Sequence, residues 1–330
     1  MSLRSTLKVL VGVSLAALGS LLLLELSARV FLFGLAGLHP GRIGSVHPLW
    51  ETGFLQTSVH EALGYEFKPD VDGYFKLARL STNSRGLRDR EYSLEKPPDT
   101  FRIAVLGASF ALPAGVEIED SFHSVLERRL TAESSSLAYE FINFAVGTYG
   151  PRQALAALRL RALDYDPDLV LLAVTKLSMP HLPGAWDTPL PLRRNMQRRN
   201  AFYESFLVEL LEVRLGWRRV DMMRAGTRRS PQGVPSVIEK LGEFSRTTGI
   251  PVVVVRLEFD AATPFRGDLG VTAAIRKAGL HFLDTRRAFA GTAPREFWIY
   301  ETDPHPDARA HAIFADVLAR FLREKGLIQP

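Results

Sequence analysis

The sequence predicts a three-layer α/β/α domain, with a five-stranded parallel sheet between its helices, preceded by an N-terminal transmembrane helix. Three observations predict it. From Phe101 onward, short β-branched apolar runs alternate with stretches of helical periodicity, and runs that are apolar throughout suit strands buried on both faces. Sixteen residues without a charge, Val9 to Leu24, stand near the N-terminus behind Arg4 and Lys8. The 330 residues are 46% hydrophobic and 23% charged, enough for one large domain with appendages and too apolar for a disordered chain.

Taken in order, the apolar run forms a helix of about 24 Å, against about 30 Å of hydrocarbon. Snorkelling by Lys8 and further turns past Glu25 close that gap. Glu25 and Arg29 share a helix face at i and i+4, and a second apolar stretch, Val30 to Leu38, prolongs the helix or lies at the interface. Residues 1–38 are therefore read as an anchor. A cleaved signal peptide and a buried soluble helix are the rivals, but no clean small-x-small cleavage site follows. Arg4 and Lys8 would hold the N-terminus in the cytoplasm and place everything after residue 40 outside the inner membrane. Residues 39–99, with Pro40, Pro48, Pro69, Pro97 and Pro98, read as an irregular lead-in that packs on the main domain, its strand-like pieces including Tyr74 to Leu80.

The main domain, 100–330, carries strand signals at 101–107, 139–146, 168–174, 250–258 and 281–285. Helix signals lie near 120–132, 151–164, 234–247, 270–278 and 307–325. One insertion, about 176–233, interrupts the alternation. It contains an amphipathic stretch from Phe202 to Met223, read as a helix packing its apolar face on the domain, with a surface that meets anionic glycan or the membrane as the second reading.

Charge and composition narrow the function. The formal charge is +5, and Arg193 to Arg229 alone hold ten arginines against four acids. The excess is one basic segment, not a nucleic-acid-binding surface. There are no cysteines, which excludes disulfides, thiolate metal sites, iron–sulfur clusters and cysteine nucleophiles.

Two segments carry chemistry. Gly107-Ala108-Ser109-Phe110 follows the first strand directly, which displays the Ser109 hydroxyl at the sheet's carboxyl edge with its backbone NH able to face a developing oxyanion. A serine there is also a common helix cap. Asp303-Pro304-His305-Pro306 precedes the last helix on what reads as a short exposed loop, and an Asp two residues before a His can fix the imidazole tautomer. A parallel sheet returns both segments to one edge. His311, inside the last helix, reads as structural, and His181 has no assignable role.

With these residues in place, the chain resembles the SGNH/GDSL hydrolase superfamily, in particular its membrane-anchored bacterial members, whose domain is flavodoxin-like. NSRGLRDREY (83–92) and FRIAVLGASF (101–110) resemble the first block and its approach. NFAVGTYG (143–150) resembles the second, YDPDLV (165–170) the strand before the third, and TDPHPDARAH (302–311) the fifth. The resemblance implies a triad of Ser109, His305 and Asp303, and an oxyanion hole built from the NH groups of Ser109 and Gly147. Two positions depart from the family pattern. Ala108 stands where the first block has Asp, and the third block, 174–183, has no Asn. Counting from Asp168, Ser178 falls nearest the missing donor, with Thr175 and Lys176 as other candidates.

The resemblance implies an extracytoplasmic serine esterase that uses no cofactor and no metal. Its partners would be a small-molecule or glycan ester, the inner membrane through residues 9–38, and polysaccharide-assembly proteins. An O-acyltransferase modifying an exopolysaccharide with the same triad is the first alternative. A catalytically degenerate binder of glycan or a partner, motivated by Ala108 and the missing Asn, is the second.

Overall fold

The structure, a computed structural model, describes residues 3–46, 49, 52–175, 205–215, 233–260 and 268–329. Helix α1 (Leu3–Phe33) continues through Glu25 and ends in a 3-10 turn over Gly34–Leu38, so the second apolar stretch prolongs the helix. It is the one helix among the described residues long and apolar enough to cross a membrane. Its last turn leaves the apolar run and docks: Leu32 and Phe33 are buried with Ile43, Leu77 and Phe206.

The lead-in is less irregular than its prolines suggest. After the single turn α2 (Pro40–Ile43), two antiparallel ribbons form, β1 (Leu55–Thr57) with β2 (Tyr65–Phe67), and β3 (Asp72–Phe75) with β4 (Ala78–Ser81). The expected strand piece Tyr74–Leu80 thus spans a hairpin, turning at Lys76 and Leu77. Both take positive φ, 51° and 68°, the turn geometry that matches strand twist and normally selects Asn or Gly. For side chains of this kind the conformation costs about 1 kcal/mol or more per residue. Packing and hydrogen bonds hold it: Leu77 is buried, and Ser45 accepts from both NH groups, through its carbonyl from Lys76 (2.7 Å) and its Oγ from Leu77 (2.9 Å).

The main domain alternates as expected: β5 (Thr100–Leu106), α3 (Phe122–Glu133), β6 (Ala138–Asn143), α4 (Pro151–Leu160), β7 (Leu169–Val174), then α5 (Phe206–Arg214) and α6 (Gly233–Thr248). There follow β8 (Val252–Arg256), α7 (Asp268–Lys277), β9 (His281–Asp284), the pair β10 (Trp298–Tyr300) and β11 (Asp303–Pro306), and α8 (Ala308–Glu324). The five-stranded parallel sheet has the order β6-β5-β7-β8-β9. The order reverses at β5, with β6 on one side and β7 on the other, and such a reversal opens a crevice at the carboxyl ends. The strands are apolar because helices cover both faces. Every residue of β7 and β8 is buried, and so are Ala310, Phe314, Ala315, Leu318, Ala319 and Leu322 along one stripe of α8. Most strands end within one or two residues of expectation. β6 instead stops at Asn143, three residues short, because Asn143 Oδ1 accepts from the Ala145 NH (2.9 Å) and bends the chain off the sheet.

In the insertion, α5 lies within the expected amphipathic stretch but packs on α1, its Phe206 ring edge-on to Phe33 at 5.2 Å. Glu25 accepts from the Phe206 NH (3.1 Å), the Leu207 NH (3.1 Å) and Ser205 Oγ (2.8 Å), and from Arg29 Nε (2.9 Å). One acid thus makes the expected i,i+4 pair and also caps α5, where the free NH groups of a helix start favour a negative charge. Most of the basic cluster lies outside the described residues, as does His181.

His123 and His311 are both fully buried, and His311 Nδ1 accepts from the Phe122 NH (3.3 Å), so His311 is structural as expected. Burial first, then nearby positive charge, pushes each from 6.5 to about 3. Both stay neutral in the fold while the unfolded chain protonates near 6.5, so this stability is present above that pH and is lost as pH falls from 6.5 toward 3. Asp89, pushed from 3.8 up to about 7 by burial and the charge of Glu127, runs the other way, its contribution fading as pH rises through 7. Removing one histidine isolates its share. Between pH 6 and 4.5, His311→Gln should lessen the slope of unfolding free energy by roughly one proton, about 1.4 kcal/mol per pH unit. Equal slopes in denaturant titrations of the two proteins would mean that His311 is protonated in the fold.

Candidate active site

Gly107 follows β5 at the crevice. A side chain there would lie 2.9 Å from the Ala173 carbonyl on β7 and 2.8 Å from the Ala111 methyl, so the close approach of β7 demands glycine. The chain then coils without a regular helix, Leu112 NH donating to the Ala108 carbonyl (2.8 Å) and Ala114 NH to the Ser109 carbonyl (3.1 Å). Helix α3 begins only at Phe122, capped by Ser121. Ser109 therefore caps no helix and stands half-buried at the carboxyl edge.

Two lead-in residues with buried side chains pin this turn. Arg88, 2% exposed, donates to the carbonyls of Leu112 (2.7 Å), Pro113 (2.6 Å), Val116 (2.7 Å) and Arg79 (2.9 Å). Burial pushes it down to about 10, still charged at neutral pH. Asp89 accepts from the Asn143 NH (3.0 Å), and Asn143 Nδ2 donates to the Ala111 carbonyl (2.8 Å). The segment 83–92 thus acts as a brace between the Ser109 turn and the end of β6, a role its sequence did not disclose.

Asp303 and His305 do not lie on an exposed loop. They sit on β11, which pairs with β10, and are only 8% and 7% exposed. Asp303 Oδ1 accepts from the His305 backbone NH (3.1 Å) and contacts Nδ1 at 2.5 Å. A carboxylate only accepts, so Nδ1 carries a proton, and in the neutral ring this tautomer leaves the lone pair on Nε2, where a general base needs it. Burial alone would raise the Asp303 carboxyl. The charges of His305 and Lys76, with a hydrogen bond from each, hold it well below the usual carboxylate range. Lys76 Nζ is bonded to Asp303 Oδ2, a contact across 227 residues of chain that no spacing in the sequence marks.

The residue after Ser109 packs on this pair: the Phe110 ring lies 5.5 Å from the imidazole and stacks on Phe259 at 6.1 Å. No hydrogen bond joins Ser109 Oγ to His305. Bonds of this kind often tighten only when substrate is bound. Gly147 is buried against the same turn. A side chain there would lie 2.7 Å from Leu49 and 3.5 Å from Leu112, and the positive φ of the loop falls on Thr148 instead (69°). Gly147 thus lies against the tip of the Leu49 side chain, and its own dihedral does not call for glycine. Thr175 is buried at the end of β7, beyond the switch in strand order. Lys176 and Ser178 lie outside the described residues. Among the described residues no cluster of His, Asp and Glu has the makings of a metal site.

Fold and side chains together define an α/β protein with a serine at the crevice of a doubly wound sheet and an Asp-oriented histidine against the ring of the residue that follows that serine. No family model matches the chain, and no curated protein matches it. Among solved structures it is similar to LAE5, an alpha/beta hydrolase enzyme from the metagenome of Lake Arreo, Spain, at 14% identity over 70% of this chain and 97% of that one, with a TM-score of 0.44. It is also similar to TesA (12% identity, 68% of this chain, 98% of that one, TM-score 0.45). A third is the acetyl xylan esterase Axe2 of Geobacillus stearothermophilus (13%, 67%, 94%, TM-score 0.42). Likenesses this distant say nothing of the reaction, which is read from the chain's own residues.

Proposed function

We propose that this chain is a membrane-anchored, extracytoplasmic serine esterase of the SGNH type that removes acyl groups, chiefly acetyl, from a glycan or another ester. The observation that carries it is the buried Asp303–His305 contact at 2.5 Å, set against the residue that follows Ser109. In the first half-reaction the Ser109 proton passes to His305 Nε2 as Oγ bonds to the ester carbonyl carbon. The NH groups of Ser109 and Gly147 receive the oxyanion, with Ser178 or Thr175 as third donor. Collapse breaks the C–O bond, and the departing alcohol takes the proton from Nε2. Water then attacks the acyl-enzyme, gives its proton to His305 and releases the carboxylic acid, the proton returning to Ser109 Oγ.

A fluorophosphonate probe tests the nucleophile, because it bonds covalently to an activated serine and to no ordinary one. Wild-type protein should carry the label on the peptide that contains Ser109, and a protein that stays unlabelled is the degenerate binder. Product analysis with a sugar acceptor present then separates hydrolysis from transfer, since the acyl-enzyme is common to both.

Anchoring is supported by the exposure of the apolar run: Val9, Leu10, Val13, Leu15, Leu18 and Leu21 to Leu24 are all more than half exposed, a surface that only lipid or another apolar partner covers. A reporter fused after Pro330 should be active only in the periplasm. Activity in the cytoplasm would reject this orientation.

A further inference from the structure

We propose that Lys76 is a positioning residue for the Asp303–His305 pair, holding one carboxylate oxygen so that the other stays fixed on the imidazole. Its part in turnover rests on the esterase reading above. The two oxygens of Asp303 have divided duties. Oδ1 takes both bonds from His305, while Oδ2 takes the Lys76 ammonium. Both side chains of that ion pair are nearly buried, 13% and 11% exposed, so the contact is not a solvated surface bridge of small consequence.

The ribbon tip is built to deliver this group. Lys76 and Leu77 hold positive φ where Asn and Gly are usual. Leu77 has a packing reason to be there, in the cluster with Phe33 and Phe206. The side chain of Lys76 reaches instead to Asp303. Its Cβ lies close to the place a side chain on Gly115 would occupy, so the tip also abuts the Ser109 turn. Arg79, on β4, is joined to that turn by Glu117 and by Arg88. Strain kept at a tip that touches a reacting pair marks a functional constraint.

Two consequences follow from the charge. Without Lys76, Oδ2 is unheld and the carboxylate can turn away from Nδ1, which slows the chemical step more than it weakens substrate binding. An ammonium also competes with the imidazolium for the same carboxylate, so its removal favours the protonated base. The charges acting on Asp303 are those of His305 and Lys76. From α8, His311 feels the charges of Arg88 and His305, and burial keeps His311 neutral.

The experiment compares wild type, Lys76→Met and Lys76→Arg by kcat and KM on a short acetyl ester across pH, and by the low-field proton resonance of the Asp303–His305 hydrogen bond, which needs no turnover. Lys76→Met should lower kcat by about tenfold to a hundredfold with KM within about twofold. The acid limb of its kcat/KM profile should move up by about one pH unit, and its low-field resonance should shift or broaden. Lys76→Arg should restore the limb, the resonance and most of the rate. A Lys76→Met protein with the wild-type profile and resonance overturns the proposal, and so does a Lys76→Arg protein no better than Lys76→Met. If wild type neither labels with fluorophosphonate nor turns over ester, the esterase reading fails by itself. The resonance then decides the positioning claim, an unchanged signal in Lys76→Met rejecting it.

Discussion

Ser109→Ala should abolish ester hydrolysis, lowering kcat/KM by at least about ten-thousandfold, because no acyl-enzyme forms without the attacking oxygen. The fold should be untouched. Ser109 is half-buried, caps no helix, and contributes to the coiled turn through its backbone carbonyl, which the alanine retains. Equal thermal unfolding of the two proteins, with labelling confined to wild type, is the expected result. A Ser109→Ala protein that keeps more than about a hundredth of the rate, far above what loss of a nucleophile leaves, places the nucleophile elsewhere.

Disabling the base should cost nearly as much. His305→Ala removes the proton acceptor, and Asp303→Asn leaves it misoriented, because an amide can present a donor to Nδ1 and so favour the wrong tautomer. Each should lower kcat/KM by about ten-thousandfold. Their stabilities should part company. His305→Ala opens a small space beside Phe110, whereas Asp303→Asn leaves the nearly buried Lys76 ammonium facing a neutral amide, at a cost of about 3 kcal/mol. The double variant Asp303→Asn with Lys76→Met should recover most of that stability and none of the activity. Kinetics beside denaturant unfolding check both halves. Either single variant keeping more than about a tenth of wild-type kcat/KM ends the dyad assignment.

Much of this architecture was legible in the residue order because local rules write it there. The five parallel strands are runs such as VVVVR and LVLLAV, apolar throughout because both faces are covered. The helices announce themselves by period and cap, as with Asp307 before α8, whose Oδ1 accepts from the Ala310 NH (3.0 Å). The Asp-x-His spacing was legible for the same reason: two residues apart on one strand, Asp303 and His305 meet with little help from the rest of the chain. Ser109 at the end of β5 follows from topology, which fixes the functional edge of a parallel sheet.

What the order of residues could not disclose depends on contacts between distant segments. The short exposed loop expected at 303–306 is a buried strand, because its partner β10 has only three residues and carries no alternating signal of its own. Arg88 carries no local signal of its own until four carbonyls from two segments, β4 and the Ser109 turn, converge on it. Glu25 reads as one half of a helical ion pair, and only the docking of α5 makes it a cap. Lys76 is the sharpest case. Nothing near it in sequence is acidic in a telling pattern, and its partner lies 227 residues away. Periodicity and spacing report what one segment does along its own axis. The placing of a charge from the lead-in on a carboxylate from the last strand is decided only when the sheet has closed and the ribbon has packed against it.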